Sequence, residues 1–184
     1  SFHIAKLITT IEGGCITTKN KDLWKKIKAI RDVGRYSKGY VHDLIGSNFR
    51  ITDVQSVIGL NQLKKSERFI SRRTQIAKRF KNEIKNLEFQ YVPSYVSRHS
   101  YMLFFALAKD SKVRDQYVKK LRDNRIDARL SFYPISKQPC NPELKQYDCP
   151  NSREIYGRAF TLPVYNSLKD SEIELIMNTC NLLK

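Results

Sequence analysis

The sequence predicts an α/β fold, and three features carry that expectation. The chain opens on two runs rich in Ile, Leu, Thr and Cys that flank Glu12-Gly13-Gly14. Such a pattern reads as a strand, a tight turn whose glycines supply positive φ, and a returning strand. A single apolar stripe then keeps helical phase from Val54 to Leu87. From residue 88 onward, short apolar strands alternate with amphipathic helices, the pattern of a small α+β unit with helices on one face of a sheet.

Taken in order, the opening hairpin places Cys15 on a buried strand, with Ser1, His3 and Lys6 just before it. A lysine in or beside a buried sheet loses solvation and gains a neutral, nucleophilic population. Spacing alone favours a solvated Lys6. Asn20 to Arg31 reads as a helix, with Leu23, Ile27 and Ile30 at helical spacing, Lys25, Lys26 and Lys28 in solvent, and Trp24 as a packing residue. Asp32-Val33-Gly34 ends it, with Gly34 in the C′ position. Residues 35–50 lack a regular pattern, and a loop of that length in a compact domain usually serves function. Asn48 and Arg50 stand out within it, either as a turn former and a solvated cation or as ligand-binding groups.

Thr52-x-x-Gln55 is a capping box that opens the longest helix. Leu63, Ile70, Ala77 and Ile84 recur every seven residues, with Phe80 and Leu87 between. The stripe predicts one helix to about residue 87, roughly 50 Å long. Its many Lys and Arg residues allow another reading, a helix-turn-helix with Gly59 as the turn. The apolar phase runs unbroken through Gly59, which argues against a turn. Beyond it come a strand at 89–93, a stronger one from Tyr101 to Ala108, a helix from Val113 to Asp123 and a strand over Ile126–Leu130. Ser131-Phe132-Tyr133-Pro134 then enters a proline-rich loop that runs to Pro150. Helices Ser152–Phe160 and Asp170–Leu183 follow, separated by Thr161-Leu162-Pro163-Val164.

Hydrophobic residues make up 41% of the 184 residues and aromatics 11%, which indicates a globular chain able to bury a core. No apolar run approaches the roughly 20 residues of a membrane span. The net charge of +16 raises nucleic acid or an anionic surface as a partner. The cations are spread over nearly every segment, however, which favours a generally basic surface. The four cysteines form no C-x-x-C pair and the three histidines are scattered, so neither a disulfide nor a zinc site is expected. A reducing, cytoplasmic compartment suits that usage.

Several stretches resemble one family in order along the chain. Ser1-Phe2-His3-x-x-Lys6, then Thr9-Thr10-x-Glu12-Gly13-Gly14, resembles the lysine segment of the DegT/StrS sugar-nucleotide aminotransferases, which depend on pyridoxal phosphate. Ile30-Arg31-Asp32-Val33-Gly34, Gly46-Ser47-Asn48-Phe49-Arg50, Ile58-Gly59-Leu60, Arg72-Arg73-x-x-Ile76-Ala77, His99-Ser100-Tyr101 and Leu162-Pro163 continue the likeness. The resemblance implies the PLP-dependent transferase fold, fold type I. Residues 1–51 would end the large cofactor-binding domain, 52–87 would form an interdomain helix, and 88–184 a small C-terminal α+β domain. Because Ser1 falls mid-pattern without an initiator methionine, the chain is expected to be the C-terminal half of a longer protein, inactive by itself.

By the same resemblance, Lys6 would bind pyridoxal phosphate covalently and shuttle a proton during amino transfer. Ser1 would hold the cofactor phosphate, and Asn48 would do so across a homodimer, in the neighbour's site. Arg50 and Tyr133 would contact a nucleotide sugar, the arginine through its bidentate fork and the tyrosine as an amphipathic wall. The implied reaction moves an amino group from an amino acid such as glutamate to a nucleoside-diphosphate keto-deoxy-sugar. His3 and His99 are expected to be structural. The chain departs from the family at Ile11, where glycine is usual, at Met102, and at Ser136 and Lys137, where a histidine is expected.

Overall fold

The computed structural model describes residues 1–37 and 39–183, which form two compact units, 1–66 and 67–184. The dividing point falls within one long helix.

In the first unit the opening stretch is not a hairpin, and no strand occurs among its described residues. The backbone instead closes a loop on Phe2, whose N–H donates to Gly13 O at 2.8 Å while its carbonyl accepts Thr10 N–H at 2.9 Å. Threonine hydroxyls take up bonds that a ladder would need: Thr9 Oγ1 donates to Phe2 O and Thr10 Oγ1 to Glu12 O. Ile11 and Gly13 both have positive φ, 72° and 148°, which turns the chain twice within three residues. Cys15 and Ile16 are consequently exposed rather than on a buried strand. A strand exists only through its partner, and no described residue pairs with them.

Helix α1 spans Lys21–Arg31, capped by Asn20, whose side chain accepts from the N–H groups of Asp22 and Leu23. Its buried residue is Ala29. Trp24 does not pack as expected: it is exposed, with the Lys28 ammonium 5.2 Å from its ring centroid. Gly34 ends the helix with φ 84°, its N–H bonded to Ala29 O. Helix α2 spans Asp53–Glu83 without interruption at Gly59, which removes the helix-turn-helix alternative. Thr52 Oγ1 accepts Gln55 N–H and Gln55 Oε1 accepts Thr52 N–H, the reciprocal box read from the sequence. The expected stripe is buried only in its second half. Val54 and Leu63 are exposed, whereas Ile76, Ala77 and Phe80 are fully enclosed.

The reason lies in the second unit, whose core covers that half of α2. Four short antiparallel strands, β1 (Glu88–Phe89), β2 (Phe104–Leu107), β3 (Arg129–Leu130) and β4 (Ala159–Leu162), form a sheet in the order β1-β2-β4-β3. Helices α3 (Ser111–Asp123), α4 (Pro150–Arg158) and α5 (Asp170–Asn181) complete the unit. Phe104 and Ala106 of β2 join Phe80 and Ile84, Tyr117 and Leu121 of α3, Phe160 of β4, and Ile173, Ile176 and Cys180 of α5 in one core. Strand β4, central in the sheet, replaces the expected helix end and linker, and Pro163 stops it. Four residues, three of them apolar, carry no periodicity that separates strand from helix end. Two 3₁₀ turns, Ile135–Lys137 and Pro142–Gln146, occupy the proline-rich loop.

The cations of the second half of α2 are largely engaged inside this unit. Arg72 bonds Asp170 and the Leu168 carbonyl, and Arg79 bonds Glu83. Lys81 donates to Gln90 O. Arg73, nine-tenths buried, donates to the carbonyls of Tyr101 and Met102 and holds Tyr101 at φ 46°. Burial lowers the pKa of Arg73.

Candidate active site

The first unit places Lys6 within the closed loop formed by residues 2–13, half-buried, with its backbone N–H bonded to His3 O at 2.9 Å. Neighbouring side chains hold the turn rather than the lysine. His3 Nδ1 accepts Ala5 N–H at 3.1 Å, and Ser1 Oγ accepts His3 N–H at 3.3 Å. Glu12 lies 3.6 Å from His3 Nε2. Among the described residues the Lys6 ammonium has no carboxylate partner. The loop is anchored to α2: Gln55 Nε2 donates to Glu12 O at 2.9 Å, and Gly59 faces Thr10 so closely that a Cβ there would lie 2.7 Å from Thr10 Cγ2.

The second part of the site joins two segments that are distant in sequence. Asp32 and Asn48 form an antiparallel bridge, and Ser47 N–H bonds Ile30 O while Phe49 N–H bonds Arg31 O. Glycines make this approach possible. A Cβ on Gly34 would lie 1.7 Å from Leu44 O, and one on Gly46 would lie 2.4 Å from Gly34 N. The residues between form a loop pinched at its base, where Gly34 O accepts both Asp43 N–H and Leu44 N–H. Its tip carries Tyr40 and Val41 in solvent, and Ile45 nearer the base is fully exposed.

Asp32 sits at the centre of this knot. Its Oδ2 accepts from Arg35 at 3.1 Å and its Oδ1 from Arg50. The Arg50 guanidinium, then the one of Arg35, holds this carboxyl below the ordinary carboxylate range, more than burial raises it. Asn48 Oδ1 accepts Arg50 N–H at 3.4 Å, which leaves the carboxamide NH₂ without a partner among the described residues. The structure therefore brings Asn48 and Arg50 together, but Arg50 is ion-paired rather than free in solvent. Sequence reading gave Asp32 no role. The available signal was its isolation, as the lone carboxylate between Leu23 and His42 in a strongly basic stretch.

Tyr133 belongs to the second unit, half-exposed, with its ring edge-on to Tyr156 at 5.3 Å. His99 Nδ1 accepts Tyr101 N–H at 3.1 Å, a local bond like that of His3. Among the described residues no group of His, Cys, Asp and Glu could hold a metal. The donors present suit an anionic cofactor with a reactive carbonyl: the Lys6 amine, without a carboxylate partner among the described residues, the Ser1 hydroxyl and the unpartnered NH₂ of Asn48.

Residues 1–181 match the family model of the DegT/DnrJ/EryC1/StrS aminotransferases. A protein of Methanocaldococcus jannaschii, MJ1066, is 32% identical over 97% of this chain and 51% of its own length. GDP-perosamine synthase of Escherichia coli O157:H7 is 32% identical over 98% of this chain and 50% of its own. Among solved structures, Helicobacter pylori PseC, an aminotransferase involved in the biosynthesis of pseudoaminic acid, superposes with a TM-score of 0.89 at 25% identity, covering 98% of this chain and 51% of PseC. The chain thus spans about half the length of the curated relatives it matches. The likeness runs through the lysine loop, the glycine-pinched knot and the small antiparallel sheet alike, and on it the chain belongs to the DegT/DnrJ/EryC1/StrS aminotransferase family.

Proposed function

We propose that this chain forms the C-terminal half of a pyridoxal-phosphate-dependent sugar-nucleotide aminotransferase. Residues 1–51 end its large domain, 52–87 link the domains and 88–184 form its small one. The enzyme moves an amino group from an amino acid, with glutamate as the favoured donor, to a nucleoside-diphosphate keto-deoxy-sugar for polysaccharide or amino-sugar synthesis. It works as a homodimer with shared sites in the cytoplasm. The observation that carries this reading is Lys6, held in a closed loop, half-buried and without a carboxylate partner among the described residues. Family membership over residues 1–181 supports it.

Pyridoxal phosphate, when bound, supplies the carbonyl that receives the amino group and the electron sink that loosens the donor's Cα–H bond. Each residue of the chain has a narrower task. Lys6 would hold the cofactor, and its free amine would accept the proton of the donor's α-carbon in the first half-reaction and deliver a proton to the aminated sugar carbon in the second. Ser1 and Asn48 offer an O–H and an N–H to phosphate oxygens, Asn48 in the neighbouring subunit's site. Arg50 offers a guanidinium edge to the sugar nucleotide's diphosphate, and Tyr133 an amphipathic wall.

The test joins the chain to the N-terminal half of the E. coli GDP-perosamine synthase, the relative 32% identical to it. With pyridoxal phosphate added, the fusion gains a visible absorption band that borohydride fixes to Lys6 and that glutamate bleaches. Lys6→Ala removes band and adduct together. A fusion that folds yet gives no adduct refutes the reading.

A further inference from the structure

Three charged groups meet in the knot of the first unit, and their bonds are distributed unequally. Arg35 is engaged at all three nitrogens: Nη1 donates to Gly39 O at 2.8 Å, Nη2 to Asp32 Oδ2 at 3.1 Å, and Nε points to Asp32 O at 3.5 Å. It ties Asp32 to Gly39 across the loop. Arg50 uses Nη1 alone, on Asp32 Oδ1. Its Nε and Nη2 have no acceptor among the described residues, and its side chain is about half exposed, at 48%. One carboxylate between two guanidinium groups leaves the trio with a net positive charge.

The backbone makes this arrangement stiff. The Asp32 main chain bridges to Asn48, two residues before the arginine, which keeps the two side chains rooted side by side. The bonds of Ser47 and Phe49 to the end of α1 fix the same register. An exposed arginine ordinarily samples many rotamers, and ordering it on binding weakens affinity. Here a buttress orders it beforehand, and the edge left over has the fork geometry that takes an oxyanion through two parallel N–H groups.

We propose that Asp32 is a positioning residue: its carboxylate fixes Arg50 with one guanidinium edge directed outward as a preformed seat for the diphosphate of the sugar nucleotide. This rests on the aminotransferase reading for the identity of the anion. It also opposes the simplest electrostatic expectation. A carboxylate beside a cation weakens the attraction of that cation for an anion, so a merely screening Asp32 would improve binding on removal. A positioning Asp32 makes binding worse.

Two measurements test it. On the 184-residue chain itself, side-chain NMR of Arg50 finds its guanidinium protons slowed in exchange in the wild type and fast in Asp32→Asn. An Arg50 signal that ignores the substitution overturns the proposal, whatever the enzyme does. In the fusion protein, the dissociation constant for GDP rises roughly three- to tenfold in Asp32→Asn, the equivalent of immobilising one long side chain on binding. Arg50→Ala raises it as well, and the double variant matches Arg50→Ala alone, since Asp32 acts through the arginine. A GDP affinity unchanged or tightened in Asp32→Asn refutes the positioning role while borohydride trapping at Lys6 in the same sample upholds the wider reading. Loss of trapping in the wild-type fusion sinks the wider reading, and the NMR measurement still judges Asp32.

Discussion

Replacing Gly34 by alanine attacks the knot where it has no slack. Gly34 has φ 84°, a left-handed conformation that costs an L-residue about 1–2 kcal/mol. The added Cβ would also stand 1.7 Å from Leu44 O, a backbone atom that no rotamer change can move aside. Displacing that carbonyl strains the two bonds that close the loop, Asp43 N–H and Leu44 N–H to Gly34 O at 2.9 and 3.0 Å. Each is worth about 0.5–1.5 kcal/mol. The sum is about 2–5 kcal/mol, concentrated at the pinch. Amide hydrogen exchange followed residue by residue is the suitable assay, because it separates local opening from global unfolding. Asp43, Leu44, Ser47 and Phe49 should exchange roughly thirtyfold to several thousandfold faster in Gly34→Ala, while core amides such as that of Phe160 stay as they were. Gly14→Ala serves as the control, since a Cβ there meets nothing within 4 Å. Exchange at the four pinch amides within threefold of the wild type would show that the backbone approach between Gly34 and Leu44 is looser than the structure has it, and the account of the knot would fall with it.

Two further outcomes follow from the second unit. Cys180 is fully buried and burial pushes its thiol up to about 12, so at pH 8 it should resist iodoacetamide while exposed Cys15 and Cys140 are labelled; mass spectrometry showing equal labelling of Cys180 in the native chain would contradict the core packing. Asp170 is held below its ordinary value of 3.8, chiefly by its hydrogen bond to Arg72. A depressed carboxyl contributes stability that is present above its unfolded pKa and lost as pH falls through the folded one. The urea midpoint of Asp170→Asn should therefore lie below that of the wild type between pH 5 and 7, and the gap should close towards pH 2.5. A gap independent of pH would assign the effect to something other than this ion pair.

Local chemistry made part of this fold legible in advance. Thr52 and Gln55 announce a helix start because a capping box is complete within four residues, and the structure forms both of its bonds. Gly34 at the end of α1 is legible in the same way. The opening turn was misread because Gly13 and Gly14 mark a reversal without saying what pairs with what. Thr9 and Thr10, good strand formers by type, turn their hydroxyls onto the backbone and close a loop. Strand β4 was lost between two helices because Ala159-Phe160-Thr161-Leu162 is too short for periodicity to decide, and its register with β2 is set by tertiary pairing. In the candidate site, although Ile30–Gly34 belongs to the same likeness, the resemblance gives roles to Lys6, Asn48 and Arg50 but none to Asp32. Its partner lies 18 residues away, and no spacing rule connects them. The exposure of Trp24, Val54 and Leu63 had the same origin: an apolar pattern tells which face of a helix is greasy, not whether any described residue covers it.

The bond from Gln55 to Glu12 joins two points 43 residues apart in the chain, and a second pinch at Gly34 closes the excursion again farther along. Tyr40 and Val41 face solvent within the segment that both clasps close. Natural variation can therefore rewrite Tyr40 and Val41 without shifting the register of Lys6 or Arg50. A lineage built this way can try new tips freely while its chemistry stays where it was, and diversity among relatives should gather at the tip rather than at the clasps.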